Sequence, residues 1–310
     1  MNDSIGIDIS KSKLDVYRLS DGAGEGVPNT RTGFAALRRW IGQAIPARVV
    51  YEATGPYHAA FERSLAGHLP LVKVNPLQAR RFAQARGTRA KTDLVDAAML
   101  AQMGAALALQ PDAPVREGQH ELKELHVART GLIKDRTRLL NRVKTQTIAL
   151  TKRHSQALLR QIERSLQEIE AEIKTRLRAT DHGARAHDIL CSIPGISDVT
   201  AAAILIECPE IGTLGRKQIA SLAGLAPMAR QSGQWRGHAF IQGGRKFLRD
   251  ALYMPALVAV RFNPDMATKY QTMCAAGKPK KVAITAIMRK LLELANALIR
   301  DNRKWAPKIA

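Results

Sequence analysis

Short alternating apolar runs come first along this chain, and long helical periods come after them. Residues 4–8 read as a brief apolar strand ending in an acid, and residues 13–19 as a second strand after the turn Ser10-Lys11-Ser12. The two make a hairpin. A third strand over 26–31, after the glycine-rich turn 21–26, completes a meander. Thr32 is placed to cap a helix through residue 44, where Phe34, Leu37, Trp40 and Ile41 recur every three to four positions. Arg48-Val49-Val50-Tyr51 reads as a buried strand closing on Glu52. Pro56 opens a helix through residue 67, residues 71–74 are a further strand, and Pro76 starts a helix carrying Arg80, Arg81 and Arg86. A final helix begins in Lys91-Thr92-Asp93-Leu94-Val95-Asp96-Ala97. The order is βββαβαβα and then one more helix, which matches a ribonuclease-H-like α/β fold.

Beyond residue 116 the period is helical. Leu125, Leu132 and Leu139 are seven apart within a helix over 117–152, and Ser155 is placed to cap a second one. There Leu159, Ile162, Leu166, Ile169, Ile173 and Leu177 step by threes and fours, as in a coiled-coil seam of about three heptads. A helical hairpin packed within one chain reads equally well. Thr180-Asp181-His182-Gly183 breaks the helix and marks a boundary. After it, residues 189–197 followed by 200–205 resemble a helix-hairpin-helix, whose turn aims backbone N–H groups at a phosphate, although Ser197 stands where a second glycine is usual. A plain helix connection is the alternative. The last helix, 282–300, carries Ile284, Ile287, Met288, Leu291, Leu294 and Leu298 on one core-facing stripe.

Charge narrows the partners. Among 310 residues, 48 Lys and Arg face 27 Asp and Glu, a net charge of +21. Such a surplus fits a polyanion, because each neutralised phosphate releases counterions. Nucleic acid is therefore the expected partner, ahead of a membrane surface. No apolar run reaches membrane-spanning length and no signal pattern opens the chain, which predicts a cytoplasmic protein. Cys191, Cys208 and Cys274 match neither a disulfide framework nor a zinc motif and read as reduced thiols.

Against that background the acids stand out. Asp93 and Asp96 share one helix face, where they could hold a cation or simply complement the helix dipole beside a Thr92 cap. Asp8 on the first strand and Glu52 at the end of the next central strand change the balance, since the fold brings all four carboxylates to one edge. A carboxylate in a buried strand costs several kcal/mol unless compensated. All-oxygen ligation predicts Mg²⁺, with Mn²⁺ as substitute, and suits phosphoryl transfer. Sugar kinases and actin-like ATPases open on a similar strand, but the glycine-rich run 21–26 lies between strands and has no Walker lysine.

A second chemical segment lies between Pro227 and Arg249. It holds Arg230, Arg236, Arg245, Lys246 and Arg249, no acid, and flexible glycines at 233, 237, 243 and 244, and so calls for an anion. Ser232 there reads as a turn residue by itself, and His238 as a surface or RNA-facing residue.

The segments Ile5-Gly6-Ile7-Asp8-Ile9-Ser10-Lys11, Tyr51-Glu52-Ala53-Thr54-Gly55, Val74-Asn75-Pro76 and residues 91–97 resemble the Asp-Glu-Asp-Asp transposases of the insertion sequence one-ten family. These are relatives of the pilin-gene invertase Piv and are also called bridge recombinases. The resemblance covers nearly the whole chain. It implies a RuvC-like, Mg²⁺-dependent site of Asp8, Glu52, Asp93 and Asp96. It also implies a serine nucleophile, mapped to Ser232 by its Ser-Gly motif upstream of an Arg-Gly and of the helix Leu248-Arg249-Asp250-Ala251-Leu252. Residues 240–245 depart from the Ile-Ser-Lys-x-Gly form common in the family.

The same resemblance implies a recombinase that exchanges strands of donor and target DNA through a phosphoserine, guided by a non-coding bridge RNA. It would work as a homo-oligomer, dimer or tetramer, in the bacterial cytoplasm at the nucleoid. Arg80, Arg81, Arg86, Lys91, Arg230, Arg236, Arg245, Lys246 and Arg249 would bind nucleic acid. The expected domains are a RuvC-like domain over 1–115, a helical extension and coiled coil over 116–184, and a mostly α transposase domain over 185–310. The alternative is a RuvC-like junction nuclease that attacks with water.

Overall fold

The computed structural model describes residues 3–53, 55, 57–87, 92–112 and 118–307, apart from the side chains of Trp235 and Arg236. They fall into two compact units, 1–116 and 117–310.

The first unit runs β1 (Ser4–Ile9), β2 (Lys13–Arg18), β3 (Gly24–Pro28), α1 (Arg31–Ile41), β4 (Arg48–Glu52), α2 (His58–Leu65), β5 (Leu71–Val74), α3 (Pro76–Ala85) and α4 (Asp93–Ala106). Its mixed sheet has the order β3-β2-β1-β4-β5, with an antiparallel meander on one side of β1 and parallel β4 and β5 on the other. This is the arrangement expected of a ribonuclease-H-like domain. The period of two sorts the strands between two cores. Ile5, Ile7, Ile9, Val49 and Tyr51 pack with Phe34 and Leu37 of α1 and Phe61 of α2. Val50, Val72 and Val74 meet Ala79 of α3 and Met99, Leu100 and Met103 of α4.

Some boundaries differ from those the sequence predicts. Thr30, not Thr32, caps α1, accepting from Gly33 N at 3.3 Å. The third strand is Gly24–Pro28 because its register is set by β2, with Gly26 opposite Asp15. Pro56 lies outside the described residues, and the helix after it is seen from His58.

The second unit runs α5 (Gln119–Thr145), α6 (Ala149–Arg178), α7 (Asp181–Cys191), α8 (Asp198–Glu207), α9 (Arg216–Leu222), β6 (Gln231–Ser232), β7 (Trp235–Arg236), α10 (Lys246–Ala251), α11 (Tyr253–Phe262), α12 (Pro264–Ala275) and α13 (Lys280–Arg300). Ser155 is buried inside α6 and does not cap it, since α6 begins a turn and a half earlier. α5 and α6 form an antiparallel hairpin. Arg129 Nε donates to Glu170 at 2.7 Å while Arg176 reaches Glu121, so the two helices run in opposite directions. Leu122, Ile173 and Leu177 close on Ile206 of α8, which makes the heptad stripes an intrachain core here. Further along, Ile284, Ile287, Leu291 and Leu298 of α13 are fully or nearly buried at the centre of the helical core. Buried Asn296 ties the α8–α9 connection to α13, accepting from Gly212 N and donating to the Leu214 carbonyl, both at 2.8 Å.

Candidate functional site

The acidic edge is set by strand register and by one close helix. β1 and β4 pair in parallel through Gly6 with Val50 and Ile7 with Tyr51, so Asp8 and Glu52 come one step later on the same face. That is the face α4 covers. Tyr51 points the other way and donates its hydroxyl to Glu62, which anchors the end of β4. α4 can cross directly over β1 because Gly6 has no side chain. A Cβ there would sit inside the backbone of Ala97 and Ala101. Gly104 makes the same allowance at the far end, where a Cβ would meet Val50 Cγ2 and the Ser4 hydroxyl, and Arg48 Nη1 donates to its carbonyl at 2.6 Å. Thr92 caps the near end, accepting from Val95 N at 3.3 Å, which puts Asp93 and Asp96 in the first turn.

The electrostatics report the convergence. The half-buried Asp8 carboxyl is pushed up to about 6, first by burial and then by Asp93, Asp96, Glu52 and Asp15. The other three expected acids therefore all act on Asp8. Asp15 is a fifth that the sequence alone does not single out. It is buried and pairs in register with Asp8 across the β1–β2 ladder. Strand alternation holds the signal, since Asp15 falls on the Asp8 face while Leu14 and Val16 face the core. Lys13 Nζ answers it at 2.6 Å and feels Asp93 as well, so its own pKa is raised, chiefly by the hydrogen bond to Asp15. Five carboxylates, with Lys13 paired to Asp15, make this an oxygen-rich acidic edge. A hard, oxygen-loving divalent cation fits that donor set.

The other expected residues lie in the second unit or on α3. Ser232 is exposed at the tip of a β-ribbon: it pairs with Trp235, Gly233 turns the chain at φ +56°, and Met228 pairs with Phe240 further down. The glycine-rich segment is thus an ordered arm at this point. Arg230 lies over the Phe240 ring at 4.4 Å and is exposed. Arg245 has partners of its own, holding Glu210 through two bonds of 2.7 and 2.6 Å and the Glu207 carbonyl at 2.8 Å. Lys246 pairs with Asp250, and Arg249 donates to the Gly243 carbonyl at 2.6 Å. Arg80, Arg81 and Arg86 are exposed on or next to α3, and His238 is exposed on the ribbon segment. Lys91 and the Arg236 side chain lie outside the described residues. The expected helix-hairpin-helix is α7, a Pro194-Gly195 turn and α8. Its Ser197 caps α8, accepting from Thr200 N at 3.4 Å.

Comparison with known proteins decides the family. Residues 187–271 match the model described as "Transposase IS116/IS110/IS902 family", and residues 5–152 match an IS110 DEDD transposase model. The pilin gene-inverting protein of Moraxella bovis is 31% identical over 323 aligned positions, covering 98% of each chain. The chain belongs to the IS110 transposase family. The pilin gene-inverting protein of Moraxella lacunata is similar to the same degree. The IS900 42 kDa protein of Mycobacterium paratuberculosis is 29% identical over 143 residues, 44% of this chain and 34% of its own. As an IS110-family transposase the protein is a DNA-cleaving and rejoining enzyme. Its five-carboxylate edge lies within the stretch that the DEDD model matches. Among the described residues no helix is long and apolar enough to cross a membrane.

Proposed function

We propose that this IS110 transposase is an RNA-guided recombinase in which Asp8, Glu52, Asp93 and Asp96 hold Mg²⁺ and Ser232 is the nucleophile. The observation that carries the reading is the pressure of Asp93, Asp96 and Glu52 on the half-buried Asp8, whose carboxyl is raised to about 6. When bound, the metal supplies charge to orient the scissile phosphate and stabilise the departing oxygen. The protein's own part is positional. α4 and the β1–β4 register hold the four acids at one edge, and the Lys13–Asp15 pair closes its rim. The β6–β7 ribbon leaves Ser232 exposed. Its Oγ–P bond forms as the strand's P–O bond breaks. The serine proton leaves, the departing oxygen gains one, and the reverse exchange rejoins a new strand.

Bridge RNA would choose the DNA by pairing, with the basic surface holding backbones without reading sequence. A homo-oligomer would bring two chains together. Arg230, Arg80, Arg81 and Arg86 are the exposed cations for that role, with Lys91 and Arg236 beside them in sequence. Arg245 and Arg249 would contribute by shaping the segment.

The test is denaturing capture of protein on labelled DNA in the presence of the RNA encoded beside the gene. Wild type should form a covalent adduct that Ser232→Ala lacks. Strand cleavage by Ser232→Ala without an adduct would instead assign the attack to water. Undiminished recombination by protein stripped of RNA would remove the guide.

A further inference from the structure

We infer that His187, Cys191 and Asp198 form a second metal site, for a zinc-type transition-metal ion, that clamps α7 to α8 across the Pro194-Gly195 turn. The three residues bring their donor atoms within 4.8 Å of one another. His187 and Cys191 are four apart on α7 and so share a face. Asp198 is the first residue of α8, fixed there by the Ser197 cap. The turn between them is held by backbone, since Gly195 at φ +105° has no room for a Cβ against Ala259 and the Pro255 carbonyl. The spacing of the two helices is thus built in, and side-chain rotation alone adjusts the donors.

The imidazole is the second, independent sign. His187 is only 2% exposed, yet among the described residues its one hydrogen-bond contact is the Cys191 sulfur, 3.8 Å from Nδ1 and 3.9 Å from Nε2. Asp198 Oδ1 lies 3.6 Å from Nε2, just beyond hydrogen-bond reach. A buried ring so poorly satisfied is unusual. A tetrahedral ion with Zn–N near 2.0 Å and Zn–S near 2.3 Å spaces its donors at roughly 3.3 to 3.6 Å. The 3.6 Å from Nε2 to Asp198 Oδ1 falls at the end of that range, and the 3.9 Å from Nε2 to the sulfur is a few tenths longer, a difference side-chain rotation can take up.

Chemistry separates this site from the acidic edge. One nitrogen, one sulfur and one oxygen suit zinc and its neighbours, whereas five carboxylates suit Mg²⁺. A cavity of about 240 Å³ lined by His187, Asp198, Val199 and Ala202 leaves space for a water as fourth ligand. Asp188 Oδ1 stands 4.0 Å from Nδ1 but is held by Arg178 at 2.6 Å. Lys174 Nζ stands 3.4 Å from Asp198 and is half exposed, so it can swing to solvent when a cation replaces it.

The test is Co²⁺ titration of the full-length protein, because only a thiolate ligand gives the sulfur-to-cobalt charge-transfer band and the acidic edge cannot. Wild type and Cys274→Ser should show the band at one equivalent, and Cys191→Ser should lose it with an unchanged circular dichroism spectrum. Zn²⁺ should raise the melting temperature of wild type and not of Cys191→Ser. Should Cys191→Ser misfold, Asp198→Asn at the exposed ligand must still weaken cobalt at least tenfold. No band in wild type, a band surviving Cys191→Ser, or full affinity in Asp198→Asn would each overturn the site.

Discussion

Asp8 is where folding and chemistry oppose each other most directly. Its carboxyl is raised from 3.8 to about 6 by burial and by its acidic neighbours. Between those values the folded chain binds a proton that the unfolded chain has lost. Stability of the metal-free protein therefore falls as pH rises through that window, and the cost is fully present above about 6. Asp8→Asn removes the repulsion while keeping the shape. Discounted for partial exposure, the gain is on the order of 1 kcal/mol at pH 7.5 without metal. Melting of the two proteins in chelator should show it, and the advantage should shrink in Mg²⁺. The same variant should lose DNA cleavage, since a ligand has gone. A lower melting temperature for Asp8→Asn in chelator would mean the acids are better compensated than their burial implies. Metal binding should weaken below pH 6 in wild type, where the proton on Asp8 competes with the cation. Titration with Mn²⁺ at pH 5 and 7.5 measures that difference.

At the scale of elements, α4 does the placing. Two of the four acids are in its first turn, and its axis touches β1 through Gly6 and β4 through Gly104. Gly6→Ala should lift the helix and cost about 3 kcal/mol by overpacking against backbone that cannot yield. Thermal melting checks the stability, and cleavage should drop because Asp93 and Asp96 move with the helix while Asp8 stays. A wild-type melt for Gly6→Ala would show that α4 can slide. Most of this unit was legible in the chain because both of its periods, two in the strands and three to four in the helices, are enforced by burial on opposite sheet faces. Asp15 was not, for a physical reason: one acid in an alternating strand is ordinary until register sets it opposite Asp8. The heptads of α5 and α6 were legible as stripes but not as partners, since a seam has the same spacing whether it meets its own chain or another. Ser155 has the chemistry of a cap but not the position, because α6 starts earlier, at Ala149, where no side chain caps the first turn.

For the whole molecule the question is how a +21 protein confines its chemistry to the right DNA. Charge of that size binds phosphate backbones without regard to sequence, and affinity should fall steeply with salt, by on the order of 10³ between 50 and 200 mM if six or more phosphates are neutralised. Cleavage must be gated by something more selective. The acidic edge and Ser232 belong to different compact units. The ribbon around Ser232 supplies cations, and the sequence between Pro227 and Arg249 supplies no carboxylate to take the serine proton. A serine hydroxyl in such surroundings is a poor nucleophile until a base or cation reaches it. The proposed mechanism then needs the ribbon to meet an acidic edge, and an assembled complex can provide the edge from another chain. If the site is shared in that way, Ser232→Ala and Asp93→Asn, each inactive alone, should recover strand exchange when mixed. Only the Asp93→Asn chain should carry the covalent DNA, because it keeps the serine while its partner supplies the acids. Denaturing gels with differently sized chains distinguish the two. Recovery with DNA on both chains would contradict the assignment of Ser232, and no recovery under conditions where the variants co-assemble would place the whole site within one chain.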